Sequence, residues 1–338
     1  MIKKELFDVY QGKEIYRYTL TDGISVSIIT LGTRVLDLIV PDRNGKKVDV
    51  ALNMKNSEDA ISKGGYMGST VGRCGNRIGG DGFDLNGKHY TIYHTKTAAH
   101  VHGGKKGFDT HIFDAQVNEA ENSVTMSSFS PDGEEGYPAN LTFSVKFTVT
   151  GTTLKIEYFA EADGDTIVNL TNHTYFNLNG ESDGSILDNE LYINAYGYLP
   201  TDKLQIPTGE IRPVDGTPFD FRVSKPIGRD IGADDEDLLI GGGYDHNFCL
   251  SGSHFATVYS PKTGIVMDCY TDRPGVQFYD GNLLRDVDGK SIYPKHAGFC
   301  LESQLFPDAI HKPDWQSPIL RKGEKLYSKT EYSFSVRK

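Results

Sequence analysis

Between Leu141 and Val149 every second residue is apolar: Leu141, Phe143, Val145, Phe147 and Val149 alternate with Thr142, Ser144, Lys146 and Thr148, and Gly151 follows. A period of two gathers those apolar side chains on one face of a strand, whereas a helix would scatter them around its axis. After the glycine, Leu154, Ile156, Tyr158 and Ala160 resume the alternation, which predicts an antiparallel hairpin with one buried face. Asn86-Gly87 marks a second hairpin. Strand-like runs cover Ile24 to Leu31, Val35 to Val40, Val124 to Phe129, Ile265 to Tyr270 and Tyr332 to Val336, separated by clusters of Gly, Pro, Asn and Asp. Long helical stripes are scarce, so the expected fold class is all-β, a large antiparallel β-sandwich or barrel. No Pro/Ser-rich linker or fixed-period repeat divides the 338 residues, and residues 1–338 are expected to form a single domain.

Composition narrows the function. A formal net charge of −11 with no Lys/Arg-rich run argues against nucleic acid or an anionic membrane as partner. With 17 Phe and 19 Tyr there is material for a large core and for surfaces on which a neutral sugar can stack. The N-terminus lacks an apolar signal segment, and no stretch of about eighteen apolar residues occurs, so a soluble, cytoplasmic protein is expected. Cys74, Cys249, Cys269 and Cys300 lie too far apart for a zinc knuckle or a small disulfide scaffold. Reduced, buried thiols are expected, with a single disulfide left open.

Several strings could carry chemistry. In Gly72-Arg73-Cys74-Gly75-Asn76-Arg77-Ile78, glycines permit tight turns around two arginines, which could equally be solvated loop residues. His100-Val101-His102-Gly103-Gly104 predicts two imidazoles on one side of an extended segment, a spacing that metal sites also use, but no carboxylate follows at a familiar distance. The glycines favour His102 as the group presented at a cleft. Asn172-His173-Thr174-Tyr175 offers an imidazole that titrates near neutrality. Tyr244-Asp245-His246-Asn247-Phe248 and Phe299-Cys300-Leu301-Glu302-Ser303-Gln304 place single carboxylates within apolar or aromatic surroundings, where a charge needs a reason. The Gly241-Gly242-Gly243 run is read as allowing close backbone approach beside Tyr244-Asp245-His246. Together these residues suit proton transfer on a polyhydroxylated ligand without a cofactor.

Taken in order with Ser130-Pro131-Asp132-Gly133-Glu134-Glu135-Gly136-Tyr137-Pro138 and Gly275-Val276-Gln277-Phe278-Tyr279, these strings resemble the galactose mutarotase (aldose 1-epimerase) family along essentially the whole chain. The resemblance implies a one-domain sandwich of twisted antiparallel sheets with an open sugar cleft. It implies that Glu302 is the general base and His173 the general acid, and that Asn76, Arg77, His102, Tyr175, Asp245 and Gln277 bind the sugar. It departs from many relatives at Gly75, where they carry alanine, and at Ser303; neither position is a proposed proton donor or acceptor.

The implied reaction opens a cyclic hemiacetal: a base takes the anomeric O1 proton while an acid protonates ring oxygen O5, and the roles reverse on closure. Neither cofactor nor metal is implied. The expected partner is a free aldose, galactose or glucose, handled by a monomer or homodimer. Two other readings stand beside this one: a non-catalytic sugar-binding protein on the same fold, and a glycosidase that pairs Asp245 with Glu302. Because His100 and His102 offer the only tempting metal spacing, epimerase activity is expected to survive exhaustive chelation. Polarimetry after chelator treatment checks this, and a loss restored by one added divalent ion would reverse it.

Overall fold

In the computed structural model, which describes residues 1–94 and 99–338, the hairpin expected at Gly151 forms the middle of a nine-stranded antiparallel sheet. Strands Leu141–Thr150 and Thr153–Ala162 pair in unbroken register from Leu141 opposite Ala162 to Thr150 opposite Thr153. The long C-terminal strand Lys325–Val336 adds to Thr153–Ala162 on one side and to Ile265–Thr271 on the other. A five-stranded meander runs from Ile2 to Asp49. The Asn86-Gly87 turn joins strands Gly82–Leu85 and Lys88–Thr91, with positive φ at both residues, as a two-residue hairpin loop requires. Among the described residues helix is confined to short pieces, of which the α-helices are Ser57–Ser62, capped by the Asn56 side chain, and Glu236–Gly241, capped by Asp235.

A third sheet, five-stranded, carries the chemistry. Its last three strands are Asp245–Leu250, Gly275–Tyr279 and Cys300–Gln304, paired so that Asn247, Gln277 and Glu302 lie side by side in one row and Asp245, Tyr279 and Cys300 two rows along, on the same face. Alternation gives this sheet two unlike faces. Phe248, Val276, Phe278 and Leu301 join one continuous apolar cluster with Val26, Ile28 and Leu38 of the meander and Phe143, Val145 and Ile156 of the large sheet. The opposite face presents Asp245, Asn247, Gln277, Glu302 and Gln304. All but Asp245 are buried, and Asp245 is partly buried. The sandwich interior thus fixes a polar surface within the protein.

All four cysteines are free and buried, which removes the disulfide alternative. The glycine run ends helix Glu236–Gly241: Gly242 adopts the left-handed cap, and at Gly243 a Cβ would lie 2.5 Å from Asp280 Oδ2, so the close approach read from the sequence is present. Among the described residues no helix is long and apolar enough to cross a membrane.

The arginines of the Gly72–Ile78 string separate into two roles. Arg73 is 1% exposed, and its guanidinium donates to the carbonyls of Ser130, Pro131, Pro138 and Ala139, to Ser130 Oγ at 2.5 Å and to Thr166 Oγ1 at 3.1 Å. The Ser130–Pro138 string is therefore wrapped around this cation as a structural clamp. Removing the donor orphans several buried carbonyls at once, so Arg73→Met should cost roughly 3 kcal/mol or more of stability. A urea midpoint lowered at unchanged slope would show it.

Candidate active site

His173 sits between two short ladders. Thr171–Asn172 pairs with Thr70–Val71, and Tyr175–Phe176 pairs with Ala51–Leu52. The His173 N–H donates to Ser69 O at 2.8 Å and its carbonyl accepts from Gly68 N–H at 2.9 Å. Asn172 secures the bend: its amide donates to Gly68 O, while its Oδ1 accepts from the Thr174 N–H and hydroxyl. The Asn-His-Thr string thus keeps its own polar groups satisfied while leaving the imidazole free to project from the chain. On the ring, Nδ1 lies 3.4 Å from Cys300 Sγ and Nε2 lies 3.6 Å from Glu302 Oε1. At that second distance the two groups are not hydrogen-bonded to each other, but they can act on neighbouring atoms of one ligand.

Glu302 is 2% exposed, and its Oε2 has no hydrogen-bond partner among the described residues. Asp245 is held differently. Its Oδ1 accepts from Gln277 Nε2 at 2.7 Å and its Oδ2 from Gln205 Nε2 at 3.1 Å, and Gln205 in turn accepts from Arg77. With both oxygens engaged by amides, Asp245 is built as an acceptor. That leaves it poorly placed to deliver a proton as half of a glycosidase pair.

Asn76 and His102 meet through reciprocal bonds: His102 N–H donates to Asn76 O at 2.9 Å, and Asn76 N–H donates to His102 Nδ1 at 3.1 Å. Both residues have left-handed backbones, φ +58° and +50°. This corrects the expectation that His100 and His102 project together. The strand ends at Val101, and the turn swings His102 into the cleft. His100 stays behind in the interior, with its Nε2 2.5 Å from the Tyr137 hydroxyl and its Nδ1 at the Tyr93 carbonyl. Gly103 is required here, because a Cβ would fall 1.7 Å from Gly72 O. The two glycine-containing strings are therefore one packed unit.

These elements enclose a cleft of roughly 290 Å³, at the small end of ligand pockets. Asn76, Arg77, His102, His173, Tyr175, Asp245 and Glu302 all line it. Gln277 does not; it stands behind Asp245 and lines a small adjoining cavity with Gln205. Sequence reasoning missed Tyr66, Tyr279, Leu283, Leu284 and Val287 in the cleft wall, and Gln205 behind it. Tyr66 had a usable signal, an aromatic residue between Gly64-Gly65 and Gly68, like His102 before its glycine pair.

His102, His173 and Glu302 also bring three ligating atoms within 4.8 Å of one another. A histidine that binds metal through Nε2 carries its proton on Nδ1 and donates it. His102 Nδ1 instead accepts the Asn76 N–H, so its neutral ring bears hydrogen on Nε2 and serves as a donor toward the cleft.

Burial dominates the electrostatics. It pulls the His173 imidazole down to about 4 and His102 well below its ordinary value, the latter helped by the neighbouring His173 and Arg77. It pushes the Glu302 carboxyl well above the usual carboxylate range, with the Asp245 charge adding to the effect. Asp245 is also raised by burial, against the pull of Gln277 and Arg77. With a raised acid beside a lowered base, the His173–Glu302 pair holds one proton between the lowered imidazole value and the raised carboxyl value.

A polar sheet face thus presents an unpaired buried carboxyl and a facing imidazole to one small cleft, the arrangement of a small-molecule enzyme site. The family model for aldose 1-epimerase matches residues 16–333. Galactose mutarotase of Homo sapiens is 44% identical over 323 residues, covering 94% of this chain and 92% of that protein. Aldose 1-epimerase of Escherichia coli K12 is 34% identical over 322 residues, covering 92% of each. Among solved structures, galactose 1-epimerase from Lactobacillus acidophilus superposes with a TM-score of 0.90 at 26% identity, covering 100% of this chain and 99% of that one. The chain belongs to the aldose 1-epimerase family and is an enzyme with mutarotase function.

The proton count of the pair predicts a bell-shaped dependence of kcat on pH. As pH falls toward about 4 both groups become protonated and no base remains; as pH rises through the raised carboxyl value the pair loses its proton and no acid remains. A pH-independent kcat across both limbs would contradict a one-proton pair.

Proposed function

We propose that Glu302 and His173 catalyse anomer interconversion of a free hexose, galactose or glucose, in the cytoplasm as part of hexose metabolism. In this reading Glu302 takes the proton from O1 while His173 delivers one to O5, and the C1–O5 bond breaks. After rotation about C1–C2, O5 attacks the other face of the aldehyde. His173 then recovers its proton from O5, and Glu302 returns one to O1. The observation that carries the assignment is the Glu302 carboxyl, buried with Oε2 unpartnered and Oε1 3.6 Å from His173 Nε2. A group desolvated at such cost, with open valence aimed toward an imidazole, is organised for proton exchange with a ligand.

Ring opening needs Glu302 ionised and His173 cationic; ring closure starts from Glu302 protonated and His173 neutral. Both states hold one proton, so the cycle regenerates the site without a covalent intermediate. Each placed proton-transfer group contributes about 10²–10⁴ in rate, which suits a reaction that already proceeds in water. His102 Nε2–H, Arg77 and the amide-held Asp245 carboxylate would grip hydroxyls and hold the ring in register. Asn76 and Tyr175 complete the contact set, with Gln277 acting through Asp245.

Glu302→Gln should remove most turnover with little change in fold, because the amide keeps the shape but cannot accept the O1 proton. His173→Asn should depress kcat far more than sugar affinity, whereas His102→Asn should weaken binding as well as turnover. Polarimetry on freshly dissolved α-galactose and α-glucose, with calorimetry for binding, separates these outcomes. Near wild-type equilibration by folded Glu302→Gln would sink the base assignment. Full kcat in His173→Asn, with kcat lost and binding intact in His102→Asn, would exchange the two histidines.

A further inference from the structure

The proposed acid has an aromatic setting that proton transfer alone does not explain. The His173 ring packs nearly parallel to Tyr175, at 5.1 Å and 17°, and to Tyr66, at 6.0 Å and 23°. Tyr66 also leans on His102 at 4.7 Å. Its placement is built. Tyr66 has φ +67° between Gly65 and Gly68, both also at positive φ. The turn is locked by the Ser69 N–H and hydroxyl, which both donate to the Tyr66 carbonyl, at 2.9 and 2.8 Å. The Tyr175 hydroxyl reaches Gly65 O at 3.4 Å, tying the two tyrosines' segments together. A non-glycine residue held in the left-handed region beside a reacting group signals a side chain aimed on purpose.

Tyrosine faces carry negative potential, and a parallel imidazole gains from them most when it is cationic. We propose that Tyr66, with Tyr175, is a positioning residue that favours the imidazolium form of His173 and so supplies the state from which the sugar ring opens. This rests on His173 being the acid. The other groups facing His173 are Glu302 and Cys300 from one strand, Tyr279 from its neighbour, His102 from its turn, and the buried Arg34, whose charge opposes a cation here. Of these, only Glu302 can offset burial with a formal negative charge at neutral pH, and its own burial works against its ionisation. A backbone hydrogen bond within His173 itself also favours the cation, and the aromatic faces add to it. Tyr66 itself stays an uncharged phenol, since burial pushes it up to about 12.

The test replaces the ring in three ways: Tyr66→Leu removes the face, Tyr66→Phe keeps it, and Tyr66→pentafluorophenylalanine keeps the shape while reversing the ring's electrostatics. A shift of about one pH unit is expected on losing the face. With isotope-labelled histidine, and with the His173 resonance assigned by its loss in His173→Asn, NMR at pH 4 should show the His173 imidazolium fraction falling from about half to about a tenth in the leucine and fluorinated variants. At neutral pH their kcat should fall about tenfold with KM nearly unchanged, and Tyr66→Phe should match the parent. A raised KM with unchanged kcat would make Tyr66 a sugar platform and overturn the proposal. So would a fluorinated variant with parental kcat and imidazolium fraction, which would reduce Tyr66 to packing. Failure of the acid assignment is read separately, from kcat of His173→Asn.

Discussion

The architecture answers to one costly arrangement, a carboxyl group buried on a polar sheet face with no hydrogen-bond partner at Oε2 among the described residues. Taking Glu302 out of water without a partner would cost several kcal/mol if the charge stayed. Burial answers that cost by shifting the carboxyl toward its protonated form, and the rest of the sandwich makes the burial possible. Strands Asp245–Leu250, Gly275–Tyr279 and Cys300–Gln304 are anchored by Phe248, Val276, Phe278 and Leu301 in the main core. Their other face can then be polar and still rigid. A loop could not hold unpaired polar groups in this way, because its backbone would relax to satisfy them.

Asp245 and Glu302 stand on strands two apart in the same sheet, and their surroundings separate their roles. Two glutamine amides engage Asp245 and favour its ionised form; among the described residues nothing donates to Glu302 Oε2. One carboxylate is fixed as an acceptor and the other is left without a donor at one oxygen, so two like groups sit in different hydrogen-bonding environments. The same logic separates the histidines. His102 is locked by a backbone N–H into the tautomer that donates from Nε2, whereas His173 faces a thiol at Nδ1, a partner able to donate or accept as the ring changes charge.

Much of this was legible in the chain because strand alternation writes both faces of a sheet into one string. In Asp-His-Asn-Phe, Gly-Val-Gln-Phe-Tyr and Cys-Leu-Glu-Ser-Gln the apolar members are the core contacts and most of the polar members line or back the cleft. The hairpins at Gly151 and Asn86-Gly87 were equally local. Contacts that depend on chain reversal were not legible. The period of two put His100 and His102 on one side, but the left-handed turn at His102 overrode it. Gln205 bridges Arg77 and Asp245 across long stretches of sequence from an unremarkable turn, and its own string gives no sign of it. Arg73 and Arg77 look alike in sequence; only the packing of Ser130–Pro138 around Arg73 shows that one is a clamp and the other faces the cleft.

Left-handed residues mark where the fold gives up local comfort for geometry. Asn76 and His102 both occupy that region, and each holds the other there through a pair of bonds that neither extended strand nor helix would allow. Gly103 and Gly72 approach closely enough to exclude any side chain, so the Arg77 and His102 strings pack as one unit. Tyr66 and Gln205 share the same backbone region, one against the proposed acid and the other behind the acceptor carboxylate. Four non-glycine residues around one cleft, each off the common backbone wells, would be a heavy burden if the positions were arbitrary. Sheet and core supply the stability against which such strain is sustained. That is why the polar groups of the cleft are held in place by the fold itself, before any ligand arrives.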